Sequence, residues 1–380
     1  MAATTTPHAS LRARRSGVDL VAWPAVLLGL FATEVVLFAA ANTNIYGFDF
    51  RGGAWAAGRH ILAGTSPYLT PDPAKLLVPG NSYIPPPPLA VLVVPLSVMP
   101  FVPAVVLWGL ACTAGLVFAL RVAGVRDPRV FGLALTSFPF VASVGLGQPD
   151  GLLALGVAIA WRQRGSWRGA AAVGLVIALK LLAWPLLIWL VATRRFKQAG
   201  VATAVAVGTV LGSWSLIGLK GFTQYGDLLA ADATAFQARS HSVVAAALRL
   251  GTSVQLARLL AIVVALLIAA LAVRVATDRD LGLFAAALAF GLLVSPILWT
   301  HYLVILFVPL AIARRKVDAA WLLTMAYWIS PVEPPWHAWQ IVVVLAVTTT
   351  ITVLSVRRVG PQQVPTPTVS RAATGALTPT

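Results

Sequence analysis

Long apolar runs alternate with short basic clusters along the whole chain, and this alternation limits the possible folds more than any other feature. The clusters are Arg12/Arg14/Arg15, Arg121/Arg126/Arg129, Arg162/Arg164/Arg168, Arg194/Arg195/Lys197, Arg274/Arg279, Arg314/Arg315/Lys316 and Arg357/Arg358. They hold about two-thirds of all Lys and Arg. The runs between them are rich in Leu, Ala and Val, unlike the alternating ten-residue pattern of a membrane barrel. A lipid-spanning chain must satisfy its backbone internally, which leaves an all-α, polytopic membrane protein. The 59% hydrophobic content, 11% charged content and mean hydropathy of +0.85 exclude an ordinary soluble domain of this length. The net charge of +16 does not point to nucleic acid, because basic clusters between apolar runs are the positive-inside pattern. Membrane lipids are therefore the expected surroundings.

Placing every basic cluster in the cytoplasm fixes parity, since the chain must cross an even number of times between two clusters. Residues 130–161 must go out and back, turning at Gly147-Gln148-Pro149-Asp150-Gly151. Residues 169–193 do the same around Lys180, and residues 281–313 around Ser295–His301. Some of these half-hairpins are shorter than the roughly 20 apolar residues of a full span. They predict short, re-entrant-like helical hairpins that thin the protein locally or open a cavity on the outer face. The resulting organisation is a cytoplasmic N-terminal tail (1–18), a transmembrane domain (19–359) and a disordered cytoplasmic tail (360–380). It contains about twelve helices and two long extracytoplasmic loops, 42–84 and 219–250.

The run from Leu20 to Ala41 predicts an uncleaved first helix. Within the first long loop, 53–63 (GAWAAGRHILA) predicts an amphipathic surface helix. The stretch NSYIPPPP at 81–88 predicts extended chain until its last proline. The single cysteine, Cys112, excludes an internal disulfide framework and reads as a small core residue. No soluble domain and no internal repeat is visible.

Parity sorts the remaining polar residues. Asp49, Asp72, Gln148, Asp150, Lys180, Gln224, Asp227, Asp232, Gln237, His241, His301, Glu333 and His337 all fall at outer ends or in outer loops. Ionisable groups near a membrane interior are costly and mark function by default. Each also has a plainer reading. Asp49, in IYGFDFR, is either a cap or partner of Arg51, or a reactive carboxylate. Lys180 is either a snorkelling lysine or a cation for an anionic partner such as phosphate. His301 and His241 are either structural or functional, Gln148 and Asp150 read as turn residues, and Glu34 reads as a hydrogen-bonded buried acid. No phosphate-binding glycine loop, HExxH, CxxC or nucleophile elbow occurs. Pro334-Pro335 spoils the spacing of Glu333/His337 as metal ligands, so no metal or other cofactor is expected.

The order of the segments is informative. It runs DFRGGAWAAGRHILAGTSPYL, then the stretch beginning at Tyr83, then GQPDGLLALG, GLVIALKLLAWPLLIWLVATRRFK, RSHSVVAAALRLG and SPILWTHYLVILFVPL. This order resembles glycosyltransferase family 87, a group of GT-C membrane enzymes that use polyprenyl-phosphate mannose. The resemblance covers most of residues 45–315. It implies a GT-C fold, a polyprenyl-phosphate sugar donor, a glycolipid acceptor and an active site on the extracytoplasmic side of the cell membrane. It implies Asp49 as general base, and Lys180, Gln148 and His301 match recurrent polar positions of the family. Such a reaction must also neutralise the donor phosphate, for which Lys180 and either Arg239 or Arg249 are candidates, and His241 and Tyr83 are further candidate substrate contacts. A transferase of another sugar such as arabinofuranose, a lipid-linked sugar transporter or flippase, and an inactive scaffold are the rival readings. A transporter would carry repeats and mid-membrane charge.

Overall fold

The computed structural model describes residues 32, 46–68, 71–77, 83–330 and 336–357. The tails 1–18 and 360–380, Glu34, Glu333 and all but Ala32 of the run Leu20–Ala41 lie outside them. Among the described residues the chain is helix and connecting loop, with no strand. Three helices of the described residues are long and apolar enough to cross a membrane: Phe101–Val122, Phe196–Leu216 and Val254–Val275. Pro128–Thr136 and Phe138–Leu146 make a fourth span if the bent pair counts as one. The two meet at 58° across Ser137, which is extended. Pro139, in the first turn of the second helix, has no N–H to continue the first, but is tolerated where no intrahelical donor is needed.

The Val254–Val275 helix shows how the sequence divides lipid from protein. Leu256, Leu259, Leu266 and Leu267 are exposed, while Ala257, Ala261, Ala265 and Ala272 are fully buried. That stripe of small side chains lets the helix approach Arg279–Val294 closely. The Arg279–Val294 helix, the tight 3-10 stretch Thr300–Leu306 and Phe307–Ala313 are buried along most of their length and form the centre of the main core.

The basic clusters collect at one end. Arg164 and Arg195 both bind Asp280, at 2.8 and 2.6 Å, and the Trp189 indole donates to the same carboxylate at 2.8 Å. Arg314 binds Asp318 at 2.7 Å and donates to the Leu354 carbonyl. The Val317 N–H donates to Asp127, and the Thr277 N–H to the Val356 carbonyl. These contacts tie clusters from six separate segments into one layer. The short hairpins rise from it: Asp150–Arg162 packs on Trp167–Leu179, which breaks at Lys180 before Leu186–Ala192.

Among the described residues, both long loops contain helices. A π-helical turn, Phe50–Trp55, leads into Ala56–Leu62, whose apolar side packs on Pro87–Ser97. Gly58 is required there, because a Cβ would collide with the Ser97 hydroxyl, which donates to the Trp55 carbonyl at 2.9 Å. The Pro87–Ser97 helix starts one residue before the last proline of the run, earlier than expected from sequence. Prolines fit the first turn because their missing N–H has no intrahelical partner there. In the second loop, Tyr225–Phe236 and Val243–Arg249 are helices.

Candidate active site

Three hairpin tips and the first long loop meet at the end of the bundle away from the basic layer. The Phe138–Leu146 helix ends at Gly147, whose left-handed φ of 78° turns the chain. A Cβ at Gly147 would strike Phe50, so the tip and the π-helical turn sit directly on one another. The Gly47 N–H donates to the Gly145 carbonyl at 2.6 Å, the Trp108 indole donates to the Gly147 carbonyl at 2.8 Å, and the Phe50 ring stacks on Trp108. This packing fixes the backbone on both sides of Asp49. The Gln148 amide then reaches Asp49 directly, with Nε2 donating to Oδ2 at 2.7 Å.

Asp150 begins the next helix and is fully buried. Its Oδ1 accepts from Lys180 Nζ at 2.9 Å. Its Oδ2 lies 2.6 Å from His301 Nδ1 and 3.0 Å from the Ser143 hydroxyl. A carboxylate can only accept, so His301 carries its proton on Nδ1 and leaves Nε2 for other partners. Lys180 Nζ also lies 3.8 Å above the Tyr302 ring. Gly151 admits this arrangement, because a Cβ there would run into the Cys112 carbonyl of the Phe101–Val122 helix. Asp49 itself is half-buried. Burial pushes its carboxyl above the usual aspartate value, and the Gln148 amide and the nearby His301 and Lys180 offset part of that rise.

The structure thus joins Asp49, Gln148, Lys180 and His301, and it adds Asp150 as the group that links the last two. Reading Asp150 as a plain turn residue is incorrect: it is the most heavily paired side chain of the cluster. Lys180, which has no charged neighbour in sequence, is held by Asp150. The available signal was one acid opening an apolar helix inside a short hairpin. Ser143 and Tyr302 were missed, because a Ser in a helix and a Tyr beside a Leu carry no local mark.

Tyr83, Arg239 and His241 do not join the cluster. The buried Tyr83 hydroxyl donates to the Pro86 carbonyl at 2.6 Å and accepts from the Ala90 N–H at 2.8 Å. It therefore caps the proline-initiated helix, where no proline N–H can help. Arg239 is exposed on the turn Gln237–Arg239. The His241 Nε2 lies 2.5 Å from the Ser330 hydroxyl, and its ring packs on Trp336. Burial and then Arg249 depress its pKa to about 3, so it is neutral. Arg249 itself donates to the Trp336 carbonyl. No group of three or more His, Cys, Asp or Glu with metal-binding geometry occurs among the described residues.

Comparison with known proteins gives this cluster a context. Residues 83–296 match the family described as Glycosyltransferase family 87. This span includes Gln148, Asp150 and Lys180, while Asp49 and His301 flank it. A polyprenol-phosphate-mannose-dependent alpha-(1-2)-phosphatidylinositol pentamannoside mannosyltransferase from Mycolicibacterium smegmatis is 27% identical over 225 residues, 54% of this chain and 55% of that protein. The chain thus spans about half the length of the curated relative it matches. No solved structure matches. With the family match covering more than half of its residues, around the hairpins that build the cluster, the chain belongs to glycosyltransferase family 87.

Proposed function

We propose that this protein is a multi-pass cell-membrane mannosyltransferase that moves a mannosyl residue from polyprenyl-phosphate mannose to a hydroxyl of a glycolipid or lipoglycan acceptor. The donor and acceptor types follow the matched relative. The cluster faces the extracytoplasmic side, because the basic layer at the other end marks the cytoplasm.

One observation carries the reading. Gln148, bound to Asp49, and Asp150, bound to Lys180 and His301, are two residues apart on one rigid turn. A carboxylate with raised proton affinity and a cation-bearing group are thereby held at a set separation. That is what an inverting displacement needs. The acceptor oxygen bonds to the anomeric carbon as Asp49 takes its proton. The bond from that carbon to the phosphate oxygen breaks on the far side, and its electron pair stays on the phosphate. Lys180 uses one N–H on Asp150 and keeps two for the phosphate oxygens. Asp150 orients Lys180 and His301, and Gln148 orients Asp49. No metal is required to balance a monophosphate leaving group.

The test uses purified full-length protein in lipid nanodiscs, with radiolabelled polyprenyl-phosphate mannose and a mannosylated lipid acceptor. Labelled glycolipid should form with the wild type and fail with folded Asp49→Asn. Protein-dependent movement of the donor across the bilayer without product would instead support a flippase and overturn the proposal. Transfer from a polyprenyl-phosphate arabinofuranose but not from the mannose donor would change the sugar.

A further inference from the structure

The Tyr225–Phe236 helix borders the cluster and carries a carboxylate that the mechanism above does not use. Tyr225, Leu228, Asp232 and Phe236 recur at three- and four-residue intervals and share one face. The rotation of the helix is fixed by its contacts. Leu228 is 1% exposed and packs with Leu76 of the first long loop, and the Tyr225 hydroxyl donates to the Ile84 carbonyl at 3.0 Å. Asp232 is therefore turned inward. It has no hydrogen-bond or ion-pair partner among the described residues, and burial alone acts on it. On the same face, Phe236 meets Trp299 of the segment that carries His301 and Tyr302, and the Tyr302 ring lies under Lys180. The face that bears Asp232 thus borders the reactive cluster.

One turn along, Phe236 meets Trp299 edge-on, with ring centres 6.0 Å apart. Both rings are half-buried, and Trp299 stands two residues before His301. A mostly buried carboxylate with no donor is costly. Its chemistry and its neighbours define what would relieve that cost. A phosphate would be repelled. A simple alkyl chain brings no donor. A sugar ring brings adjacent hydroxyls for the two carboxylate oxygens and a C–H face for the aromatic rings.

We infer that Asp232, Phe236 and Trp299 form the subsite that holds a sugar ring of the acceptor by its vicinal hydroxyls. This rests on the transferase reading for its place in the reaction, but binding can be measured without transfer. The experiment is calorimetric titration of the full-length protein in nanodiscs with methyl α-dimannoside, with no donor present. Wild type should bind, and Asp232→Asn should bind roughly 10- to 100-fold more weakly, the loss that accompanies a hydrogen bond to a charged group. Trp299→Ala should also weaken binding, which keeps the idea testable if Asp232→Asn folds poorly. A deoxy analogue lacking one vicinal hydroxyl should bind wild type more weakly but Asp232→Asn no differently from the parent sugar. Equal dimannoside affinity in wild type and Asp232→Asn, or no binding by wild type, would overturn the subsite. So would loss of kcat in Asp232→Asn at saturating acceptor with unchanged acceptor KM, which would make Asp232 a base. Sugar binding by a wild type that transfers nothing would sink the transferase reading alone.

Discussion

Gln148 Nε2 donates to Asp49 Oδ2 at 2.7 Å, joining residues 99 positions apart in the chain. Two residues beyond Gln148, Asp150 holds Lys180 and His301. The turn Gln148-Pro149-Asp150 therefore couples the proposed base to the proposed phosphate-binding group, and the variants below separate their contributions.

Asp49→Asn keeps the shape and the Gln148 contact but removes the proton acceptor. Transfer should fall by about 100- to 10,000-fold, the usual worth of general base catalysis. Donor and acceptor affinities should change little. Steady-state kinetics on protein matched for expression and thermal unfolding measures this; near-normal kcat would remove Asp49 from the role.

The Asp150–Lys180 pair is buried, with side chains 1% and 15% exposed. Asp150→Asn or Lys180→Met alone strands a charge and should cost about 3–5 kcal/mol. The double variant should recover a good part of that stability and none of the activity. Thermal unfolding in nanodiscs reads the first result and transfer assays the second. An active double variant would show that the pair is only structural.

Asp49 must be ionised to act as a base, and burial raises its pKa. Activity should therefore be full above the raised value and fall as pH drops through it. The acid limb of kcat/KM should lie above about 3.9, the ordinary aspartate value. The groups bearing on Asp49 are Gln148, His301, Lys180 and Asp150. Gln148→Leu removes a hydrogen bond that favours the ionised form, so its limb should move to higher pH. Superimposable pH profiles for wild type and Gln148→Leu would contradict this assignment.

Tyr83→Phe deletes the hydroxyl that caps the Pro87–Ser97 helix and leaves the buried Ala90 N–H without its acceptor. It should cost about 1–3 kcal/mol of stability and leave both KM values within error. A raised KM at unchanged stability would return Tyr83 to the substrate site.

Gly151→Ala should destabilise the protein and lower activity together, because the new methyl meets the Cys112 carbonyl and displaces the start of the Asp150 helix. Comparing its Tm with that of Gly200→Ala, where a Cβ meets nothing within 4 Å, provides the control.

Much of this layout was legible in the chain itself. Apolar runs separated by basic clusters determined an all-helical membrane protein. The short intervals 130–161, 169–193 and 281–313 determined hairpins turning near Gly147, Lys180 and His301, because hydropathy and charge act over one helix at a time. Which polar residues meet was not legible. Asp150 and Lys180 are 30 positions apart, and Asp150 and His301 are 151 apart. Their contacts depend on how closely helices approach, at Gly151 on Cys112 and at Gly147 on Phe50. The same packing seals Tyr83 behind its own helix and turns Asp232 inward. Local sequence set which residues had to lie at that end of the bundle. Only tertiary packing decided which of them are paired, which are consumed as caps and which stay open to a ligand, because burial and pairing depend on neighbours brought in from distant segments.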